Sequence, residues 1–271
     1  MASYKTQFQL QEKVALITGA AQGIGAEISR ALGELGATVI VSDQDADLAE
    51  SQVDNLKSAG IQAAFAKLDV TSEQEWQTTM MAIEKEHGHL DILVNNAGIM
   101  FYESVEEMSL DKFRLMQSVN VDGVFLGSKY ASKLMKKHAT AEQRASIVNL
   151  SSLAGLAGSS LVSAYCASKG SVRLMTKAMA AEFGADHIRV NSIHPGLIQT
   201  DMGDQVQDML MQKAGLSSRE EAQAIGLALT PLQAWGTPSD VASAVAFMAS
   251  PASNFMTGTE IVVDGGIHNC Q

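Results

Sequence analysis

Cysteine is nearly absent from this 271-residue chain, which holds only Cys166 and Cys270. Two distant thiols make no disulfide framework and suit a reducing, cytoplasmic setting. Positive charge is also scarce, with 19 Lys and Arg against 30 Asp and Glu and a net charge of −11. A nucleic-acid or anionic-membrane surface needs clustered cations, so neither partner is expected. No uncharged apolar run reaches bilayer length, and Met1–Lys13 is too polar for the core of a signal peptide. The six histidines show no metal-ligand spacing. No metal is expected, and Gln271 offers little to a cation at the C-terminus. Proline is confined to Pro195, Pro231, Pro238 and Pro251. With no repeat and no Pro/Gly/Ser linker, residues 1–271 read as one domain.

What is present is alternation. Apolar strand-like runs at Val14–Thr18, Ala37–Ser42, Gln62–Leu68, Asp91–Asn95, Ala145–Ser151, His187–Ile193 and Glu260–Val263 are separated by helical patterns. The helices are expected at Gly23–Leu35, Ala46–Ala59, Ser72–His87, Asp111–Lys137, Ser163–Phe183 and Ser239–Met248. This order predicts an α/β fold, a doubly wound and mostly parallel seven-stranded sheet with helices on both faces. The Met- and Leu-rich stretch 201–229 fits the alternation least and reads as a substrate lid over the carboxyl edge.

Two stretches carry chemistry. Thr18-Gly19-Ala20-Ala21-Gln22-Gly23-Ile24-Gly25 lies where the first strand turns into the first helix. Glycines there let the backbone approach a pyrophosphate resting on the helix N-terminus. Asp43, at the end of the second strand, can accept from ribose hydroxyls and repel a 2′-phosphate. Its neighbours Ala20, Ala21, Gln22, Gln44 and Asp45 bring no positive charge, so NAD is expected rather than NADP. The second stretch is Ser151-Ser152 followed by Tyr165-Cys166-Ala167-Ser168-Lys169. On a helix, Tyr165 and Lys169 share a face. An adjacent ammonium favours the phenolate, so Tyr165 is expected to ionise below the usual tyrosine value of about 10.

These residues together resemble the short-chain dehydrogenase/reductase family in its TGxxxGxG subgroup, from about Lys13 to Gly266. Thr18–Gly25, Asp69-Val70, Asn95-Asn96-Ala97-Gly98, Asn120, Ser152, Tyr165/Lys169 and Pro195-Gly196 carry the resemblance. It implies a Rossmann-type fold and catalysis by Asn120, Ser152, Tyr165 and Lys169. Ser152 is favoured over Ser151 because the family serine stands 13 residues before the tyrosine. The resemblance also implies a cofactor held by Gly19, Gln22, Gly23, Ile24, Gly25 and Asp43, with Asp69 and Val70 at adenine. Asn96, Ala97 and Gly98 would flank the ribose, Pro195 and Gly196 would lie along the nicotinamide, and Ile198 and Thr200 would hold its carboxamide. Tyr165 and Lys169 would touch the cofactor as well. A water leading from Lys169 past a kinked helix would account for Asn120.

The implied reaction is hydride transfer between a secondary alcohol and a ketone. Met100, Leu153, Ala154, Ser159, Leu161, Leu197 and Met202 are the expected pocket residues, which suits a small, neutral, partly apolar substrate. A 3-oxoacyl reductase working on an acyl carrier is disfavoured by Asp43 and the acidic charge. A non-catalytic NAD-binding regulator is disfavoured because Tyr165 and Lys169 are both present. An enoyl reductase would place Lys seven residues after Tyr, where this chain has Val172. Small residues on the two long helices (Gly123, Gly127, Ala131; Ala167, Gly170, Ala178) are read as packing against other copies, giving a homotetramer.

Overall fold

The computed structural model describes residues 3–216, 218–268 and 270, without the side chains of residues 209, 210 and 212–214. Met209 and Leu210 of the expected lid, as side chains, and Gln271 lie outside the described residues. The strands are β1 (Val14–Thr18), β2 (Thr38–Asp43), β3 (Ala63–Lys67), β4 (Ile92–Asn95), β5 (Ala145–Leu150), β6 (Ile188–Pro195) and β7 (Glu260–Val263). The helices are α1 (Tyr4–Gln7), α2 (Gly23–Glu34), α3 (Ala46–Ser58), α4 (Glu73–His87), α5 (Leu110–Gln117), α6 (Gly123–Met135) and α7 (Ser163–Phe183). Then come α8 (Asp201–Ala214), α9 (Arg219–Leu229) and α10 (Pro238–Ala249). The sheet order is β3-β2-β1-β4-β5-β6-β7, and every pairing is parallel. The order reverses direction between β1 and β4, the point at which such sheets open a crevice at their carboxyl ends.

Local chemistry sets the helix ends. Asp45 caps α3 by accepting from Leu48 N–H at 3.1 Å, and Ser72 caps α4 through Glu75 N–H at 3.2 Å. Gly88, at φ +80°, ends α4 in the left-handed region that favours glycine. Thr237 and Asp240 form a capping box ahead of Pro238 in α10.

The sheet is buried on both sides. Ile17, Val39, Val41 and Val94 pack against Ile28 and Leu32 of α2 and Val241 and Val245 of α10. The opposite face places Leu16, Leu93 and Ile147 under Trp76 of α4, Leu134 of α6 and Met179 of α7. Each such aliphatic side chain contributes about 1.5–3 kcal/mol by leaving water. Trp76 is fully buried and donates its indole N–H to the Val70 carbonyl at 3.0 Å, fixing α4 to the loop after β3.

One expected element is different. The helix predicted over Asp111–Lys137 is interrupted by a π-helical turn at Ser118–Asp122 that separates α5 from α6. The small residues of α6 therefore face inward rather than toward another molecule. A Cβ at Gly123 would meet the Val70 side chain at 2.9 Å, one at Gly127 would meet Asn95 Oδ1 at 2.4 Å, and Ala131 is fully buried. On α7 the reading fares differently, since Ala167 and Ala178 are exposed and nothing lies within 4 Å of a Cβ at Gly170.

Candidate active site at the carboxyl edge

The glycine loop and the segment after β4 are built to touch. Asn96 donates from Nδ2 to the carbonyls of Thr18 and Gly19, both at 2.9 Å. Thr18 Oγ1 accepts from Asn96 N–H at 3.0 Å and Ala97 N–H at 3.1 Å. A Cβ at Gly25 would stand 2.2 Å from the Gly19 carbonyl oxygen, so α2 can begin this close to the loop only with glycine there. Gly19, at φ +60°, would clash with Ala97 if it bore a side chain. Gln22 begins α2 in an extended conformation and supplies no side-chain cap, and the first turn has no acidic residue. An uncapped helix N-terminus beside a glycine turn fits a pyrophosphate. Asp43 accepts from Ala21 N–H and Asp45 N–H, each at 3.2 Å, so its carboxylate is held at the loop. The sheet register also sets Lys67 beside Asp43, a neighbour that reading the two strands separately misses.

Asp69 Oδ1 accepts from Thr71 N–H and Oγ1, at 2.9 and 2.8 Å, which fixes the turn after β3. Val70 is buried. At the far side, Gly196 donates its N–H to Val263 at 2.9 Å and lies too close to Asp264 to carry a Cβ. Ile198 is buried and bridges to Gly236. Thr200 caps α8 by accepting from Gly203 N–H at 3.1 Å, and a Cβ at Gly23 would lie 3.8 Å from its methyl group. The two segments expected to flank the cofactor therefore face each other.

Between them lies the side-chain cluster. Lys169 Nζ donates to the Leu150 carbonyl at 2.8 Å and stands 5.7 Å from the Tyr165 ring centre. Ser151 donates to the Lys169 carbonyl at 2.9 Å and so ties the end of β5 to α7. The Ser152 hydroxyl acts on the neighbouring Tyr165 phenol in the direction that favours the phenolate. Asn120 sits fully buried in the π-helical turn. Its Oδ1 accepts from Ile99 N–H at 2.9 Å, and its Nδ2 donates to the Ile99 carbonyl at 2.9 Å and to Ser168 Oγ at 3.0 Å. A Cβ at Gly98 would lie 3.3 Å from Asn120 Oδ1 and 3.4 Å from Lys169 Nζ, so that glycine keeps the gap between them open.

The expected acidification of Tyr165 is not met in this structure. Burial dominates and pushes the phenol up to about 12, against the opposing Ser152 hydrogen bond. The same burial pushes Lys169 down to about 8, so the ammonium present at neutral pH is lost as pH rises past that value, before the phenol ionises. Two residues of the site were not singled out from sequence. His194, fully buried on β6, bonds the Ser152 carbonyl through Nδ1 at 3.1 Å and Ser192 Oγ through Nε2 at 2.8 Å. Burial holds its pKa below the usual histidine value, so it acts as a neutral bracket on the Ser152 backbone. Tyr102 packs with Met100 and Ala154 on the apolar cluster that contains Tyr165, Met116 and Val162.

A family model described as Enoyl-(Acyl carrier protein) reductase matches residues 19–268. Cyclopentanol dehydrogenase of Comamonas sp. (strain NCIMB 9872) is 39% identical over 258 residues, covering 95% of this chain and 98% of its own. The chain belongs to the short-chain dehydrogenase/reductase family. The NADP-dependent (R)-specific alcohol dehydrogenase of Lentilactobacillus kefiri is 35% identical over 260 residues, covering 95% of this chain and 97% of that one. A solved 7α-hydroxysteroid dehydrogenase, complexed with NADH and 7-oxo glycochenodeoxycholic acid, superposes with a TM-score of 0.88. It is 33% identical and covers 98% of each chain. As a short-chain dehydrogenase/reductase, this chain is an oxidoreductase acting on CH–OH groups with a nicotinamide dinucleotide. Despite the wording of the family model, the seventh residue after Tyr165 is the buried, apolar Val172. Among the described residues, no helix is long and apolar enough to cross a membrane.

Proposed function

We propose that this chain is an NAD(H)-dependent dehydrogenase that interconverts a secondary alcohol and a ketone, with Tyr165 as general acid and base. The grouping of the Ser152 and Tyr165 hydroxyls beside Lys169 carries the reading. When bound, the nicotinamide supplies the hydride-exchanging carbon and, in its oxidised form, a positive charge. In ketone reduction Tyr165, kept protonated by burial, gives its proton to the carbonyl oxygen as charge develops there. Ser152 donates to the same oxygen, and His194 holds the Ser152 backbone in place. In alcohol oxidation Tyr165 receives the proton. Lys169 binds the cofactor ribose, and Asn120 holds the Ile99 backbone and the π-helical turn beside it. Gly19, Gln22, Gly23, Ile24 and Gly25 hold the pyrophosphate end, and Asp69, Val70, Asn96, Ala97 and Gly98 the adenosine. Pro195, Gly196, Ile198 and Thr200 line the nicotinamide end.

NAD is favoured because the Asp43 carboxylate is anchored at the loop and Asp45 adds a second negative charge, offsetting Lys67. The substrate is a neutral, partly apolar alcohol, suited to the apolar surface that Met100, Phe101 and Ala154 bring to the cluster around Tyr165. Within a single 1–271 domain, α8 and α9 form the lid, tied together by Arg219 to Asp204 and Asp208. A homotetramer is supported by exposed Leu110, Leu115, Phe125 and Leu174 on α5, α6 and α7. The two free thiols suit the cytoplasm. Oxidation of a cyclic-alcohol panel, followed by NADH absorbance, tests the reaction. No cofactor-dependent turnover of any secondary alcohol or ketone would overturn it.

A further inference from the structure

Residues 99–102 pack against the apolar cluster that contains Tyr165, and the segment is held at both ends. Asn120 bonds both the N–H and the carbonyl of Ile99, each at 2.9 Å. Glu103 donates its N–H to the Leu161 carbonyl at 3.0 Å, and its carboxylate pairs with Lys112. Tyr102 is thus set in place before any ligand arrives. Its neighbours Ile99, Met100 and Phe101 offer only apolar surface, and Tyr102 alone of the four brings a hydrogen-bonding side chain. Among the described residues, no group hydrogen-bonds its hydroxyl, and that oxygen is not one of the buried, unpartnered polar atoms, so it stays open to water or to a ligand. Phenylalanine would pack the ring equally well, so packing does not explain the oxygen. Both rings belong to one apolar cluster, and the Tyr102 phenol is pushed above the ordinary tyrosine range by burial and by its nearness to Tyr165.

We propose that Tyr102 is a specificity-determining residue that hydrogen-bonds a second neutral oxygen on the substrate. The favoured substrates are then diols or hydroxyketones rather than simple alcohols. This rests on the assignment of Tyr165 to the reacting oxygen. The second group is uncharged because Lys112, the cation over the neighbouring Phe101 ring, is already paired with Glu103, and Arg219 of the lid is paired with Asp204 and Asp208. A carboxylate or phosphate would find no free counter-charge among these.

The test measures NAD-dependent oxidation of cyclopentanol and cis-1,2-cyclopentanediol by the unaltered chain, Tyr102→Phe and Tyr165→Phe. The ratio of kcat/KM for diol over monoalcohol should fall about tenfold in Tyr102→Phe, the size of one lost hydrogen bond. An unchanged ratio overturns the role of Tyr102, including the case where both substrates slow together. Tyr165→Phe should silence both substrates, and its failure to do so counts against the reaction assignment alone. Should the unaltered chain oxidise neither alcohol, Tyr102 is judged by thermal unfolding with NAD present. The diol should then raise the melting temperature more than cyclopentanol does, and Tyr102→Phe should erase that difference. Equal protection of both proteins by the diol overturns the proposal.

Discussion

The Lys169 ammonium lies 2.8 Å from the Leu150 carbonyl oxygen and 5.7 Å from the centre of the Tyr165 ring, with both side chains buried. Burial lowers the lysine from 10.5 to about 8. Between those values the unfolded chain binds a proton that the folded chain does not, so stability rises with pH across that window. The rise is on the order of 3 kcal/mol. For Tyr165 the sign is opposite, because the folded phenol keeps its proton to about 12 while the unfolded one loses it above 10. Denaturant midpoints of the cofactor-free protein should climb from pH 8 to 10 and then decline. Lys169→Met should flatten the climb, and a climb of full size in that variant would refute the assignment.

Tyr165→Phe removes one oxygen from a well-packed ring and should leave the fold intact. Loss of a general acid costs about 10²–10⁴-fold in turnover. Ser152→Ala should also lower turnover but leave cofactor affinity close to that of the unaltered chain. Steady-state rates with NADH titrations separate the two roles. Retention of more than about a tenth of the activity in Tyr165→Phe would move the proton donor elsewhere.

Asp43→Asn combined with Gln44→Arg should shift preference from NAD toward NADP. The change removes a charge that repels a 2′-phosphate and adds one that attracts it. Lys67 stands beside Asp43 in the register, so Lys67→Ala should deepen the NAD preference of the unaltered chain. Comparison of kcat/KM for the two cofactors decides the matter, and faster turnover with NADP by the unaltered chain would reverse the reading of Asp43.

Asn120→Ala takes both backbone partners from Ile99 and one from Ser168. Each buried group left unpaired costs about 1–3 kcal/mol, so the denaturant midpoint should drop clearly. Turnover should fall with it, because the π-helical turn and the Ile99 segment lose their common anchor. An unchanged midpoint would mean that the turn is held by other contacts.

Every strand was legible from apolar runs, and Ser163–Phe183 and Glu260–Val263 fall on their observed bounds. A kink at Asn120 was expected, but its π-helical form was not legible, because one inserted residue leaves the hydrophobic spacing nearly helical. That residue rotates everything after it by about 100°, one residue's share of a helical turn. This is why Gly123, Gly127 and Ala131 face the core. Lys67 required the β2–β3 register, and His194 required the β5–β6 pairing that brings it to the Ser152 backbone. The Tyr165–Lys169 spacing was visible, but the burial that outweighs their mutual influence is a tertiary property.

A buried polar seam joins the sheet to α7. Asn95 Nδ2 donates to Asn149 Oδ1 at 2.8 Å, Asn149 Nδ2 to Thr176 Oγ1 at 2.9 Å, and Ser151 and Lys169 cross-link the same strand and helix. Sliding α7 along β5 would break the bonds at Thr176, Ser151 and Lys169 together, so the helix bearing Tyr165 has a single seat. Segments 99–103, 153–162 and 196–229 lie outside this seam. Selection can therefore reshape which alcohol is accepted while the proton-handling machinery keeps its alignment, a separation that lets one scaffold serve many metabolic niches.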